Sequence, residues 1–337
     1  MPLRLLPWAP EYGTSMQFDA EGSDDSETAA DVAVEGREWE PIDPASGPTA
    51  ALQIVDGVRR AEAHAMDDGP DGEPLFGLFG SFAVGVVRLE GRSASILEPY
   101  VSVHRRYFQA GGDPVDRDVD VGADKLRFEA GVPPKATTAN SLVDALNRTM
   151  LDEEAKLAEE LSRDESTLTL VDGPLRDLRS PGKRVVGYVK RIHNWYIESE
   201  QLQLLPALGV GQRTPLVKLT SPDGRERYSW FVRIAALGSR YHHLGGIMRL
   251  EAPGFAPLAE AVVLADQSTS ALPRLASSPV RDPRAPQNLI PVGALEAVLT
   301  HRLGDRRWLR RLLAASIGER AHAVAAAAAL LMKRTET

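Results

Sequence analysis

Two aspartates in this sequence stand in the same local setting. Asp56 ends the run Leu52-Gln53-Ile54-Val55-Asp56-Gly57, and Asp172 ends Leu168-Thr169-Leu170-Val171-Asp172-Gly173. Each run has the length and apolar character of a strand buried on both faces. Each glycine permits a sharp turn straight after the carboxylate. A sheet holds such a carboxylate in place while its oxygens reach solvent. Two of them, more than a hundred residues apart, are expected to converge at one sheet edge. Hard oxygen donors of this kind suit Mg²⁺ or Mn²⁺ better than zinc. Near a phosphodiester, such a metal activates water and neutralises charge on the leaving oxygen.

A third carboxylate is offered by a helix. Val143, Leu146, Met150, Leu157 and Leu161 recur at helical spacing and define a helix over 141–161, capped by Asn140 or Ser141. Glu153 and Glu154 flank its apolar stripe, so either is placed to point at the sheet. Lys190 ends a further strand, Arg184 to Lys190, where it meets either a phosphate or solvent.

Other chemistries are excluded by what is missing. There is no cysteine, which removes disulfides, zinc thiolates and cysteine nucleophiles. No Walker-type phosphate loop, dinucleotide fingerprint, G-x-S-x-G elbow or H-E-x-x-H helix occurs. The adjacent His242 and His243 are expected on opposite faces of a strand, which disfavours joint ligation.

The elements that must position these groups follow in order. Leu75 to Leu89 and Ile96 to Phe108 read as two long antiparallel strands beside the first. Residues 109–140 read as a long excursion. After the second Asp-Gly strand and the strand ending at Lys190, residues 192–208 read as a helix. Tyr228 to Leu237 and Gly246 to Glu251 read as a strand pair, Pro257 to Leu272 as a helix, and 273–286 as a Pro-rich linker. Helices are expected over 291–301 and 308–332. This order suits a mixed sheet flanked by helices, with ligands at strand ends.

The composition, 43% hydrophobic and 26% charged, is that of a soluble globular protein. The net charge of −8 is unevenly spread. Residues 1–50 hold eleven acids and two arginines, leaving 36 acids against 37 bases in the body, which keeps a basic DNA groove possible. The acidic stretch reads as an extended arm over 1–45, with Trp8 and Trp39 as anchors. The body spans 46–301, and a C-terminal helix over 302–337 carries eight Lys/Arg against three Asp/Glu. No run approaches the roughly 18 apolar residues of a membrane span, and no signal peptide is evident, so a cytoplasmic location is expected.

The body resembles the NurA family of DNA-end-processing nucleases. The matching pieces are IVDG at Asp56, the Glu153-Glu154 helix, LVDGPL at Asp172 and VVGYVK ending at Lys190. YSWFVRIA, GIMRLE and PQNLIPVGALE extend the match over about 45–300. The resemblance implies an α/β, ribonuclease H-like core, with the C-terminal helix as an extension. It implies a homodimer that cleaves single- and double-stranded DNA with Mn²⁺ (Mg²⁺ as an alternative). Its activity would be that of a single-strand endonuclease and 5′-3′ exonuclease, resecting ends in double-strand break repair. Its partner would be a HerA-type hexameric DNA-translocating ATPase, which accounts for the missing ATP-binding loop.

Carried over residue by residue, the family aspartates fall on Asp56 and Asp172. The helix carboxylate falls on Glu153, 19 residues ahead of Asp172, with Glu154 as the alternative. Two positions depart from the pattern. Val58 stands where serine often follows the first Asp-Gly, and Gly293 stands where a His or Asp ligand is expected. Glu296 or His301 on the same helix are the substitutes. A second hypothesis is a non-catalytic dimeric adaptor that caps the ATPase ring and guides DNA. A third is a ribonuclease H-like enzyme acting on RNA or DNA junctions.

Overall fold

In the computed structural model, the described residues are 4–5, 28–45, 47, 51–69, 72–111, 114–136, 138–175, 178–190, 192, 194–238, 241–278 and 285–318. Thirteen strands join in one sheet: β1 (Arg4–Leu5), β2 (Ala29–Asp31), β3 (Ala51–Asp68), β4 (Pro74–Glu90), β5 (Ser93–Ile96), β6 (Ser102–Gln109), β7 (Arg117–Val121), β8 (Asp124–Ala130), β9 (Leu168–Asp172), β10 (Val185–Val189), β11 (Val217–Thr220), β12 (Glu226–Arg233) and β13 (Ile247–Pro253). The helices are α1 (Ala139–Leu161), the single-turn α2 (Ser199–Leu202), α3 (Leu258–Ala271) and α4 (Ile290–Arg302).

The sheet order is β2-β11-β12-β13-β10-β9-β3-β4-β6-β8-β7, with β1 on β3 and β5 on β4. At its centre β3, β9 and β10 run parallel, and antiparallel strands flank them. The fold is therefore a large mixed α/β sheet with helices packed on it.

Strand alternation assigns side chains to two faces. On one face Val55, Val86, Val171 and Val185 pack against Ala155, Ala158 and Leu161 of α1. On the other, Ile54, Leu170, Tyr188 and Trp230 pack against Leu264 of α3 and Val292, Leu295 and Leu299 of α4. Burial of both faces explains why the two Asp-Gly strands read as unbroken apolar runs. Truncating a core side chain such as Leu295, fully buried on α4, would cost about 2–5 kcal/mol.

α1 begins where Thr138 accepts the Ser141 N–H on its side-chain oxygen at 3.2 Å, two residues ahead of the nearer expected cap, Asn140. From there Ala, Leu, Met, Glu and Lys sustain the helix.

Several segments differ from the sequence reading. The run through Asp56 does not turn at Gly57; β3 continues to Asp68 as one arm of a long hairpin with β4. The 109–140 excursion contains the β7–β8 hairpin. The described residues of 192–208 are mostly irregular, with one α-helical turn at α2 and a 3-10 turn at Leu205–Ala207. Ile192, Trp195, Ile197, Leu202, Leu205 and Leu208 do pack as an apolar cluster, which gave the helical spacing without the helix. His242 and His243 sit in a turn, their ring centroids 3.9 Å apart, and not on opposite faces of a strand.

Part of the acidic arm lies on the sheet. β2 pairs with β11, Ile42 is buried, and Trp39 Nε1 donates to the Gln201 carbonyl at 3.0 Å. Glu35 forms a two-point pair with Arg213, which is itself buried and also bonded to Asp266 of α3. Trp8 lies outside the described residues. Residues 306–318 are helical, with Leu309 and Leu313 packed on Phe79 and Phe128; the remainder of the expected 308–332 helix lies outside the described residues. No helix of the described residues is long and apolar enough to cross a membrane.

Candidate active site

The β3–β9 ladder ends at the pair Val55–Val171, one residue before each aspartate. β9 ends at Asp172, while β3 runs on beside β4. The turn after Asp172 is made by Gly173, whose φ of +99° suits glycine. It is held from two sides. The Gly173 N–H donates to the Tyr188 carbonyl at 3.0 Å, and the Leu175 N–H donates to Glu251 of β13 at 3.0 Å. Glu251 is fully buried and pairs with Arg227 and Arg249, which fixes the carboxylate that holds this turn.

Alternation sends Asp56, Asp172, Tyr188 and Lys190 to the same face, the one covered by α4. Lys190 Nζ bridges Asp172 Oδ2 at 2.5 Å and Asn288 Oδ1 at 3.1 Å. Asn288 is buried just ahead of α4. From α4, Glu296 adds its charge to the cluster, and it acts on Asp56, Lys190 and Tyr188.

The helix carboxylate enters from the opposite face. Glu154 is buried, and its Oε1 occupies the place where a side chain on Gly57 would be. Glu153 is directed elsewhere: its carboxylate takes Lys156 Nζ at 2.6 Å. One residue along a helix is a rotation of about 100°. The resemblance favoured Glu153, and the geometry brings Glu154 to the aspartates instead.

The electrostatics follow from crowding. Burial raises the Asp56 carboxyl well above the ordinary carboxylate value, and repulsion from Asp172, Glu154 and Glu296 adds to it, against the pull of Lys190. Burial works to lower the Lys190 ammonium, but attraction to Asp172 and Asp56 outweighs it and the net shift is upward. The Lys190 ammonium thus feels Asp172, Asp56 and Glu296 together.

Among the described residues, two buried oxygens here have no hydrogen-bond partner: Asp56 Oδ2 and the Tyr188 hydroxyl. An unpaired buried carboxylate oxygen is costly, and its presence among hard oxygen donors fits a divalent cation. The carboxylates do not form a ready-made cage. Among the described residues no three His, Asp or Glu side chains are gathered closely enough to ligate one ion. The ammonium of Lys190 sits on Asp172, and the four acids would have to draw in around a metal.

The remaining expected positions separate clearly. Gly293 faces Asn288, whose amide nitrogen is 3.7 Å from where a Cβ would stand. Glu296 lies three residues on, on the same helix face, and belongs to the cluster. His301 is exposed in the last turn of α4 and is not among the groups acting on Asp56. Sequence reasoning did not single out Asn288 or Tyr188. The one available signal was their position inside PQNLIPVGALE and VVGYVK.

Carboxylates at the ends of parallel strands, with a lysine among them, are a set of groups suited to phosphodiester chemistry. The family comparison agrees. The NurA domain matches residues 80–292, more than half of the chain, and the chain belongs to the NurA family, a family of nucleases. Among solved structures it is similar to the crystal structure of the NurA nuclease from Sulfolobus solfataricus, with a TM-score of 0.48 and 9% identity over 86% of this chain and 90% of that one. No curated protein matches it.

Proposed function

We propose that this chain is a divalent-metal-dependent deoxyribonuclease whose site is built from Asp56, Glu154, Asp172 and Glu296. The observation that carries the reading is the buried, unpartnered Asp56 Oδ2 facing three further acids and one lysine. Asp56, Asp172 and Glu154 would hold the metal, with Glu296 completing the set on the helix where Gly293 offers no ligand. Mn²⁺ is the expected ion, with Mg²⁺ as the alternative. When bound, the cation would lower the pKa of water and offset charge on the leaving oxygen.

The protein's own groups do the rest. Lys190, displaced from Asp172, is placed to neutralise a non-bridging phosphate oxygen, and Asn288 keeps its ammonium in reach. Glu251, through the Leu175 N–H, keeps the Asp172 turn from relaxing. α1 and α4 pack on the two faces of the sheet around these groups.

Membership in a nuclease family makes DNA the expected substrate. The finer reading extends that family resemblance. In it, a homodimer with single-strand endonuclease and 5′-3′ exonuclease activity resects ends at double-strand breaks, with a HerA-type hexameric ATPase driving DNA to the site. The core would be ribonuclease H-like, and the protein cytoplasmic. The adaptor alternative rested on the gap at Gly293, which Glu296 would fill in this reading.

The test compares 5′-labelled single-stranded DNA, duplex DNA, RNA–DNA hybrid and a four-way junction, each with Mn²⁺, Mg²⁺ or EDTA. Metal-dependent cleavage of the first two is expected. Cleavage confined to hybrid or junction would replace the substrate assignment. Cleavage of nothing, with or without the ATPase, would favour the adaptor.

A further inference from the structure

Tyr188 lies in the middle of β10 with none of its surface exposed, and its ring packs in the same core as Trp230 and Leu250. Its backbone carbonyl holds the Gly173 turn. Its hydroxyl has no hydrogen-bond partner among the described residues, although it lies within the field of Asp172, Asp56, Glu154 and Glu296. The Lys190 ammonium stands 5.4 Å from the ring centroid.

An unsatisfied buried hydroxyl costs about 1–3 kcal/mol, and phenylalanine would fill the same volume without it. Buried tyrosines ordinarily find a partner for the O–H. Burial, reinforced by the four carboxylates, raises its pKa well above the ordinary value, so the group stays a neutral phenol at working pH. A neutral phenol among anions, out of bonding reach of each, is suited to a small polar molecule that enters with the substrate.

We propose that the Tyr188 hydroxyl is a positioning residue that hydrogen-bonds the water attacking the phosphodiester. This rests on the nuclease reading given above. The water oxygen forms the new P–O bond, and its proton passes to a site carboxylate. The bond from phosphorus to the leaving nucleotide oxygen breaks, and its electron pair departs with that oxygen. The tyrosine neither gains nor loses a proton, and its role is to fix the direction of attack.

The test uses the full chain and Tyr188→Phe with three readouts. Thermal melting without metal should show Tyr188→Phe as stable as the wild type or more so, because an unpaired polar atom has been removed. Cleavage of 5′-labelled single-stranded DNA with Mn²⁺ should show kcat reduced roughly 10- to 100-fold with KM for DNA unchanged. Ultraviolet difference spectra on adding Mn²⁺ should show a tyrosine perturbation in the wild type that Tyr188→Phe lacks. Wild-type kcat in Tyr188→Phe would overturn the proposal, as would a loss of kcat that tracks a loss of melting temperature. If the wild type itself fails to cleave, the nuclease reading falls and the spectra decide. A tyrosine signal on metal addition would keep the hydroxyl at a cation-responsive water, and none would overturn it.

Discussion

A Cβ on Gly57 would lie 2.3 Å from Oε1 of Glu154. The first Asp-Gly pair therefore owes its glycine to an approaching side chain and not to a turn. The second owes it to the turn itself, where Gly173 has positive φ. The same two letters meet different physical demands at the two ends of one site.

Gly57→Ala tests that relationship. The added methyl also meets the Ala83 carbonyl and Val84 at 3.1 Å, so the mutant should lose about 1 kcal/mol of stability. The larger effect should be on cleavage, reduced at least about tenfold because the Glu154 carboxylate must swing away. Steady-state kinetics alongside a melting curve separate the two.

The two neighbouring glutamates should behave oppositely. Glu154→Gln should lower kcat by roughly 100-fold or more, as loss of a positioned charge does. Glu153→Gln removes only a partly exposed pair with Lys156, and activity should stay within about threefold of wild type. Equal losses in both would place the helix in a different register from the one described.

The crowding around Asp56 predicts a pH dependence of stability in the absence of metal. Its folded pKa lies above the unfolded value near 3.8, so the native state binds the extra proton. The associated stability is present below the unfolded value and is lost as pH rises through the raised folded value. Asp56→Asn should remove that loss. The variant should melt higher than the wild type at neutral pH without metal, gain less from added Mn²⁺, and cleave nothing.

The clasp between Glu35 and Arg213 predicts acid release of the N-terminal segment. Burial raises the Glu35 pKa, but the Arg213 guanidinium and the Leu216 N–H outweigh it, and the net shift is below 4.5. Its stabilisation is present above the unfolded value and is lost as pH falls through the folded one. Arg213→Met removes the buried guanidinium that Glu35 and Asp266 share and should cost about 3–5 kcal/mol. Hydrogen exchange of residues 29–42 should report both effects.

How much of this was legible in the sequence depended on whether the signal was local. β9, β10, α1 and α4 announce themselves because their burial pattern repeats along the chain. The β7–β8 hairpin does not: Val119 and Phe128 are its buried side chains, and charged residues fill most of both strands. Residues 192–208 misled because apolar residues at helical spacing can pack from an irregular path. Within the site, the two aspartates were visible as repeated strand ends. The choice of Glu154 depended on the rotation of α1 over Gly57. Asn288 and Tyr188 became visible only when β9, β10 and α4 met.

The central claim is that the carboxylates around Asp56 and Asp172 form a hydrolytic metal site. The most direct measurement is cleavage of a 5′-labelled single strand by wild type and Asp172→Ala, with Mn²⁺ and with EDTA, both proteins verified as folded. Cleavage by the wild type that needs Mn²⁺ and vanishes in Asp172→Ala is the predicted result. Cleavage that survives in Asp172→Ala, or that proceeds in EDTA, would contradict it.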